Sequence, residues 1–300
     1  MAALPVIAAV DGSEPSLRGL DWAIRAARVR DAELLVVHVW PWPPNIHGSP
    51  EPPPAAPSAD DDPLLREVRE RLAGRADLPE IRFATLSGTP SAALPELGGQ
   101  ARMLVLGSRG RGGFASLLLG SNGRACAAHA ACPVVVVPHH ERGRGALAEP
   151  AGRVVLGLEP EETVDAVVDF AFEEAELRRA QLQVVTTYPV PFSTLALLGA
   201  SQMDLTDPEG PQVARETGQA QRDRVEHALR GRFAEVDVDW VVAAGDAAGR
   251  LVDASDSADL VVVGRHRHRL RHGGMFLGSV TNAVLLHAHC PIAVVPPPPH

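Results

Sequence analysis

The chain repeats itself, and the repeat is too long and too internally varied to be a solenoid unit. Asp21-Trp22-Ala23 aligns with Asp169-Phe170-Ala171, and Ala32 to Val37 aligns with Ala180 to Val185, both at a shift of 148. Gly88 and Gly107 align with Gly245 and Gly264 at a shift of 157, and Gly120-Ser121 and Cys132-Pro133 align with Gly278-Ser279 and Cys290-Pro291 at a shift of 158. The small steps mark insertions between two copies of one domain. Within each copy, short apolar runs alternate with segments of helical period. In the first copy the strands are expected at Leu4 to Val10, Leu34 to Val39, Ile81 to Leu86, Met103 to Leu106 and Val134 to Val137. Helices are expected near Leu17 to Ala27, Pro63 to Arg75, Ser91 to Gln100 and Ser121 to Ala130. Strands alternating with helices predict an α/β fold with a doubly wound parallel sheet of five strands in each domain. The domains are expected at 1–140 and 151–297, joined by the linker from His139 to Gly152.

Three hundred residues suffice for two such cores without staples. The start, Met1 to Val10, has no basic n-region and reads as a first strand rather than a signal peptide. No apolar run approaches the roughly 18 residues of a membrane span. A net charge of −9 gives nucleic acid and anionic membranes no electrostatic attraction to the chain as a whole. Three cysteines are too few for a disulfide framework and fit a reducing, cytoplasmic setting. The chain contains no lysine, all 28 basic residues being arginine. That excludes the lysine-dependent Walker A loop, protein-kinase and Schiff-base chemistries. The proline-rich segment from Pro41 to Asp62 reads as an extended surface loop ending in an acidic triplet.

The chemistry is expected at the carboxyl ends of strands. Asp11 follows the first strand and Gly107 begins the loop after the fourth, so the two share one crevice if those strands flank the point where strand order reverses. Gly107 and Gly110 allow close backbone approach to a ligand, and successive amides of such a turn form an anion-binding nest. Gly120-Ser121 then opens a helix whose first N–H groups favour phosphate. Arg109 and Arg111 add charged donors, the Ser121 hydroxyl adds another, and Asp11 is placed to accept from an adenine amine or a ribose hydroxyl.

With its strand-Asp-Gly-Ser start, its Gly-x2-Gly-x9-Gly-Ser loop and its Cys-Pro-apolar end, the chain resembles the ATP-binding universal stress proteins. The likeness covers both repeats, in the tandem form common in actinobacteria. The resemblance implies a sheet order of 3-2-1-4-5 and ATP as the ligand, with Mg2+ as its companion ion. By motif, Ala9, Asp11 and Val39 would meet adenine and ribose. Gly107, Ser108, Arg109, Gly110, Arg111, Gly112 and Gly113, with Gly120, Ser121 and Asn122, would hold ribose and phosphates. It also implies association through the last strands, Val134 to Val137 and Ile292 to Val295, as pairing of the two repeats within a chain, and it leaves room for a homodimer.

The second repeat departs from this pattern. Its counterpart site comprises Gly157, Glu159, Gly264, Gly278 and Ser279, in which Glu159 replaces the aspartate. Arg267 replaces the second glycine, the loop is one residue longer, and Arg265 to His272 is dense in arginine and histidine. His287-Ala288-His289-Cys290 has metal-ligand residue types, but Cys290 and Cys132 are equivalent positions before a strand and read as packed small residues. His38 reads as a packed or hydrogen-bonded residue at a strand end. No catalytic set stands out. The expectation is a regulatory, nucleotide-binding module in stress adaptation, with slow hydrolysis left open. Two rivals remain, an ATP-using enzyme of the adenylating or pyrophosphatase class and a nucleotide-free scaffold. The first needs a Ser-Gly-Gly-x-Asp-Ser loop where this chain reads Asp11-Gly12-Ser13-Glu14-Pro15-Ser16.

Overall fold

A computed structural model describes residues 4–41, 55–110, 119–138, 151–159, 163–188, 216, 219–220, 222–223, 235–265 and 277–298. The first repeat runs β1 (Val6–Val10), α1 (Glu14–Val29), β2 (Leu34–Pro41), α2 (Pro63–Leu72), β3 (Ile81–Gly88), α3 (Pro90–Glu96), β4 (Met103–Gly107), α4 (Ser121–His129) and β5 (Val134–Val137). The second runs β6 (Arg153–Gly157), α5 (Asp165–Arg178), β7 (Gln181–Tyr188), β8 (Val238–Ala244), α6 (Ala247–Ser255), β9 (Leu260–Gly264), α7 (Ser279–His287) and β10 (Ile292–Val295). Two non-glycine residues with positive φ, Asp31 (47°) and Arg179 (52°), occupy equivalent positions after α1 and α5. The duplication therefore extends to backbone conformation.

All ten strands form one sheet, in the order β3-β2-β1-β4-β5-β10-β9-β6-β7-β8. Each repeat reads 3-2-1-4-5 from its outer edge, with parallel pairing throughout. The halves join through β5 and β10, which pair antiparallel as Val136↔Ile292, Val135↔Ala293 and Val134↔Val294. Val135 and Ala293 are repeat equivalents at the 158 shift, so an approximate twofold axis passes between them.

Alternate residues of each strand supply two cores, one on each sheet face. Val6, Ala8 and Val10 join Trp22, Phe170 and Val154 on the face covered by α1, α2 and α5, whereas Ile7, Leu104 and Leu106 join Cys126, Val263 and Val284 on the other. Both cores continue across the seam. Among the described residues no helix is long and apolar enough to cross a membrane.

Local sequence sets most helix ends. Ser13 caps α1, accepting from the Ser16 amide, with Pro15 in the first turn. The helix expected to run to Gln100 leaves α geometry after Glu96 and finishes as a 3-10 turn over Leu97–Gln100. Pro95 lacks an N–H to donate and Gly98-Gly99 is a poor helix former.

The acidic end of the proline-rich segment differs from its expectation as solvated loop. Asp62 is fully buried as the N-cap of α2, accepting from the Leu64 (3.0 Å) and Leu65 (3.3 Å) amides. Its other oxygen pairs with His38 Nδ1 at 2.7 Å and accepts from the Thr85 hydroxyl at 2.9 Å. These contacts tie α2 to β2 and β3. Burial would raise the Asp62 pKa, but the hydrogen bonds from His38 and Thr85 outweigh it and hold the carboxyl below its ordinary 3.8. The stability supplied by this depressed pKa is therefore full above pH 3.8 and is lost as pH falls through the lower folded value. We expect Asp62→Ala to lower stability by about 2 kcal/mol, seen as an earlier urea midpoint at pH 7. Asp62→Asn should flatten the acid limb of a stability–pH profile.

Candidate functional site at the switch point

Strand β1 lies between β2 and β4, so the direction of winding reverses beside it and a crevice opens at the carboxyl ends of β1 and β4. Asp11 and Gly107 stand at that crevice. Gly12 has φ of 77°, which a side chain would strain, and this turn folds the Asp11 carboxylate back over the start of α1. Asp11 Oδ1 accepts from the Ser13 amide (3.0 Å) and from the Ser13 hydroxyl (2.6 Å). The Arg109 carbonyl lies 3.4 Å from the same hydroxyl. Ser16 Oγ donates to the Ser13 carbonyl (2.8 Å) and lies 3.3 Å from the Asp11 amide, its acceptor role there.

Each glycine of the loop has its own contact. A Cβ on Gly107 would overlap the Pro15 carbonyl and lie 2.7 Å from the Ser16 amide nitrogen, so this glycine lets α1 pack against the end of β4. Gly19 completes that approach, where a Cβ would come within 3.1 Å of the Gly107 nitrogen. A Cβ on Gly110 would instead overlap Asp11 Oδ2. Gly110 therefore sets the distance between loop and carboxylate, while Gly107 sets the distance between helix and strand.

Ser108 closes the loop. Its amide donates to the Val137 carbonyl (2.8 Å) and its carbonyl accepts from the Gly120 amide (2.7 Å). The loop thus leaves β4 pinned to the end of β5, and the start of α4 bonds back to its first residue. Gly120 is the N-cap of α4 without a side-chain capping bond, and the first bond within the helix comes from Arg124 to the Gly120 carbonyl (3.2 Å). The amides of Ser121, Asn122 and Gly123 lack an acceptor within the helix. The Ser108 hydroxyl is buried and, like Arg109 Nε, has no hydrogen-bond partner among the described residues. Orphaned donors beside an open helix N-terminus fit an anionic ligand.

The predicted residues Ala9, Asp11, Gly107, Ser108, Arg109, Gly110, Gly120, Ser121 and Asn122 are thus described around this crevice. Val39 is buried near the end of β2, in the core beneath α3 and α4. Arg111, Gly112 and Gly113 lie outside the described residues. Ser13 and Pro15 read as the start signal of α1, but sequence reasoning missed the parts played by Gly12 and Ser16 and the bonds from Ser13 to Asp11. A glycine two residues past a strand, followed by a serine cap and proline, was the available signal.

The second crevice is built differently. Pro160 stands where the first repeat has Gly12, and proline cannot take that positive φ. The Glu159 amide donates instead to Thr163 Oγ1 (2.7 Å), and the Thr163 amide returns to the Glu159 carbonyl (2.9 Å). A Cβ on Gly157 would approach Leu251 Cδ1 to 2.9 Å, and one on Gly264 would meet only Val167 Cγ2 at 3.3 Å. Gly278 is the N-cap of α7 and Ser279 its first residue. Thr281 replaces Gly123 and donates to the Gly264 carbonyl (2.9 Å). The Arg265 amide keeps the strand contact made by Ser108, donating to Val295 (2.8 Å), but its guanidinium donates to the Ala130 carbonyl of the first repeat (2.7 Å). Arg267 and the histidines of that loop lie outside the described residues.

Other candidate groups are occupied structurally. Cys126, Cys132 and Cys290 are buried, and burial pushes the first two thiols up to about 12 and about 11 and raises the third, so none is a ready thiolate. His289 pairs with Asp256, and its amide donates to Ser255 Oγ (2.9 Å). Among the described residues no three His, Cys, Asp or Glu side chains converge on a metal position.

A family model described as the universal stress protein family matches residues 4–138 and again 151–296. A universal stress protein of Mycobacterium tuberculosis is 30% identical over 317 residues, covering 97% of this chain and 94% of the relative. A second from the same organism is 30% identical over 304 residues, covering 96% of each. A crystal structure of a universal stress protein from Archaeoglobus fulgidus shares the fold, with a TM-score of 0.64, 15% identity and coverage of 97% and 98%.

The two loop glycines make separable predictions. Gly107→Ala should destabilise the first repeat by about 1–3 kcal/mol, because backbone must move to admit the methyl group. Gly110→Ala should leave thermal stability near the parent value, since only the Asp11 carboxylate must turn aside. Differential scanning calorimetry of both variants checks the contrast.

Proposed function

The chain belongs to the universal stress protein family through both of its repeats, and on that premise we propose that it binds one adenine nucleotide, ATP, in the crevice of the first repeat. The observation that carries the reading is the closed Ser108–Gly120 loop, with its orphaned hydroxyl and open helix N-terminus, whose Arg109 carbonyl and Gly110 lie against the Asp11 turn. Phosphate oxygens would be held by the amides of Ser121 and Asn122, the Ser108 hydroxyl and the Arg109 guanidinium. Asp11 would accept from the nucleoside end. Mg2+ would be carried on the phosphates, as no converging ligand set is present among the described residues.

The second repeat supports such a site less well. It has proline in place of the turn glycine, threonine in place of Gly123, and an arginine whose guanidinium serves the other domain. We infer a cytoplasmic regulatory module in stress adaptation that works through nucleotide-dependent conformation rather than turnover. The absence of lysine from the whole chain and the engagement of His38 Nδ1 by buried Asp62 support that inference.

Mass spectrometry of small molecules released from natively purified protein tests the proposal. One ATP per chain is the expected result. Two would assign the second crevice as well, and none would favour the scaffold reading. Gly110→Arg, which copies the second repeat, should abolish binding in isothermal titration, and unchanged affinity would sink the steric argument.

A further inference from the structure

The seam between the halves is nearly twofold in its backbone but not in its charges. Arg30, at the end of α1, and Arg178, at the end of α5, are repeat equivalents at the 148 shift. Both pair with the same carboxylate, Glu174. Glu174 is fully buried and the Arg30 side chain is 3% exposed. The first repeat carries Ala26 where the second carries Glu174, so a single acid serves two arginines across the axis. Arg178 also lies over the Trp22 ring of the first repeat, 5.4 Å from its centroid.

The same polarity recurs around this centre. Arg102 pairs with Glu173 at 3.4 Å. The repeat equivalent of Glu173 is Arg25, and that of Arg102 is Asp259. Arg25 lies within electrostatic reach of Arg178, as Arg178 does of Asp259. Burial pulls the pKa of Arg30 down, and so do Arg178 and Arg102, with Glu173 opposing them. The first repeat thus brings Arg30 and Arg102 into pairs across the seam, with Arg25 beside Arg178, and the second brings Glu173 and Glu174 with Arg178, while Asp259 accepts from the Ala151, Gly152 and Arg153 amides of its own repeat. On the opposite sheet face the halves are again unlike, but there the arginine is the second repeat's. Arg265 of the second repeat reaches the Ala130 carbonyl at the end of α4, whereas its equivalent, Ser108, is too short to make the reverse contact.

We propose that this seam recognises unlike repeats, a basic face on the first repeat selecting the acidic face of the second, so that the chain pairs its own halves in preference to like halves of two chains. Two first repeats would bring Arg30 against Arg30 over Ala26, where neither copy has the Glu174 carboxylate, and Arg102 against Arg25. Two second repeats would bring Glu173 against Asp259. Covalent linkage then favours the partner repeat of the same chain through its high effective concentration.

The full-length chain provides the test. Glu173→Arg with Glu174→Ala gives the second repeat the residues of the first. Amide exchange of the strand pairs joining Val134–Val136 to Ile292–Val294 should then accelerate at least about a hundredfold, because a buried pair is broken rather than replaced. Exchange in β1 and β6 should stay at the parent rate. Adding Arg30→Glu and Arg102→Glu inverts the polarity and should return seam exchange to within about tenfold of the parent, consistent with the strength of close charge pairs. Parent-like exchange in the first variant would overturn the proposal. So would a polarity-inverted chain whose seam exchanges as fast as the first variant's. If the first variant unfolds throughout, the inverted chain decides, a sealed seam supporting selection by charge and an open one overturning it.

Discussion

The antiparallel pairing of β5 with β10 is the contact on which the rest of the architecture depends. Each repeat ends in a short valine-rich strand that would be an exposed sheet edge in an isolated domain, with unpaired N–H and C=O groups. Joined through Val135 and Ala293, the two edges satisfy each other and make one ten-stranded sheet. Both strands become fully buried. The two cores then run continuously across the seam, which brings α1 and α5 close enough for Arg30, Glu174 and Arg178 to meet out of water.

That arrangement gives the two crevices different surroundings although they began as copies. In the first, the residue after β4 is a serine whose backbone closes the loop and whose buried hydroxyl has no partner among the described residues. In the second, the same position is an arginine spent on the neighbouring domain. The Asp11-Gly12 step has become Glu159-Pro160, a change from a residue that takes positive φ to one that cannot. Divergence of site two is thus a backbone matter as much as one of side-chain size. That arginine adds a contact across the seam that the serine of the first repeat does not make.

Much of this was legible in the residues. The apolar runs located the five strands of the first repeat because parallel strands covered on both faces read as unbroken hydrophobic segments, and the repeat carried the same order into the second half. Glycine spacing placed the crevice because Gly107 and Gly110 each sit where a Cβ has no room. Other features left weaker traces. Asp60-Asp61-Asp62 looks like a solvated run, yet Asp62 is buried, because its burial depends on His38 and Thr85 arriving from strands 24 and 23 residues away. The Asp62-Pro63 step was a capping signal hidden within an acidic triplet.

Sequence alone determined the duplication, the α/β class, the placement of the glycine loop after β4 and the exclusion of lysine chemistry, because each rests on local periodicity, local turn geometry or composition. Tertiary structure alone decided which carboxylate lies against Gly110, which helix ends meet at the seam and where Arg265 points. Those facts depend on contacts between residues far apart in the chain, and a repeat alignment treats the two halves as equivalents, whereas the folded molecule sets them face to face, where every difference between them becomes a contact.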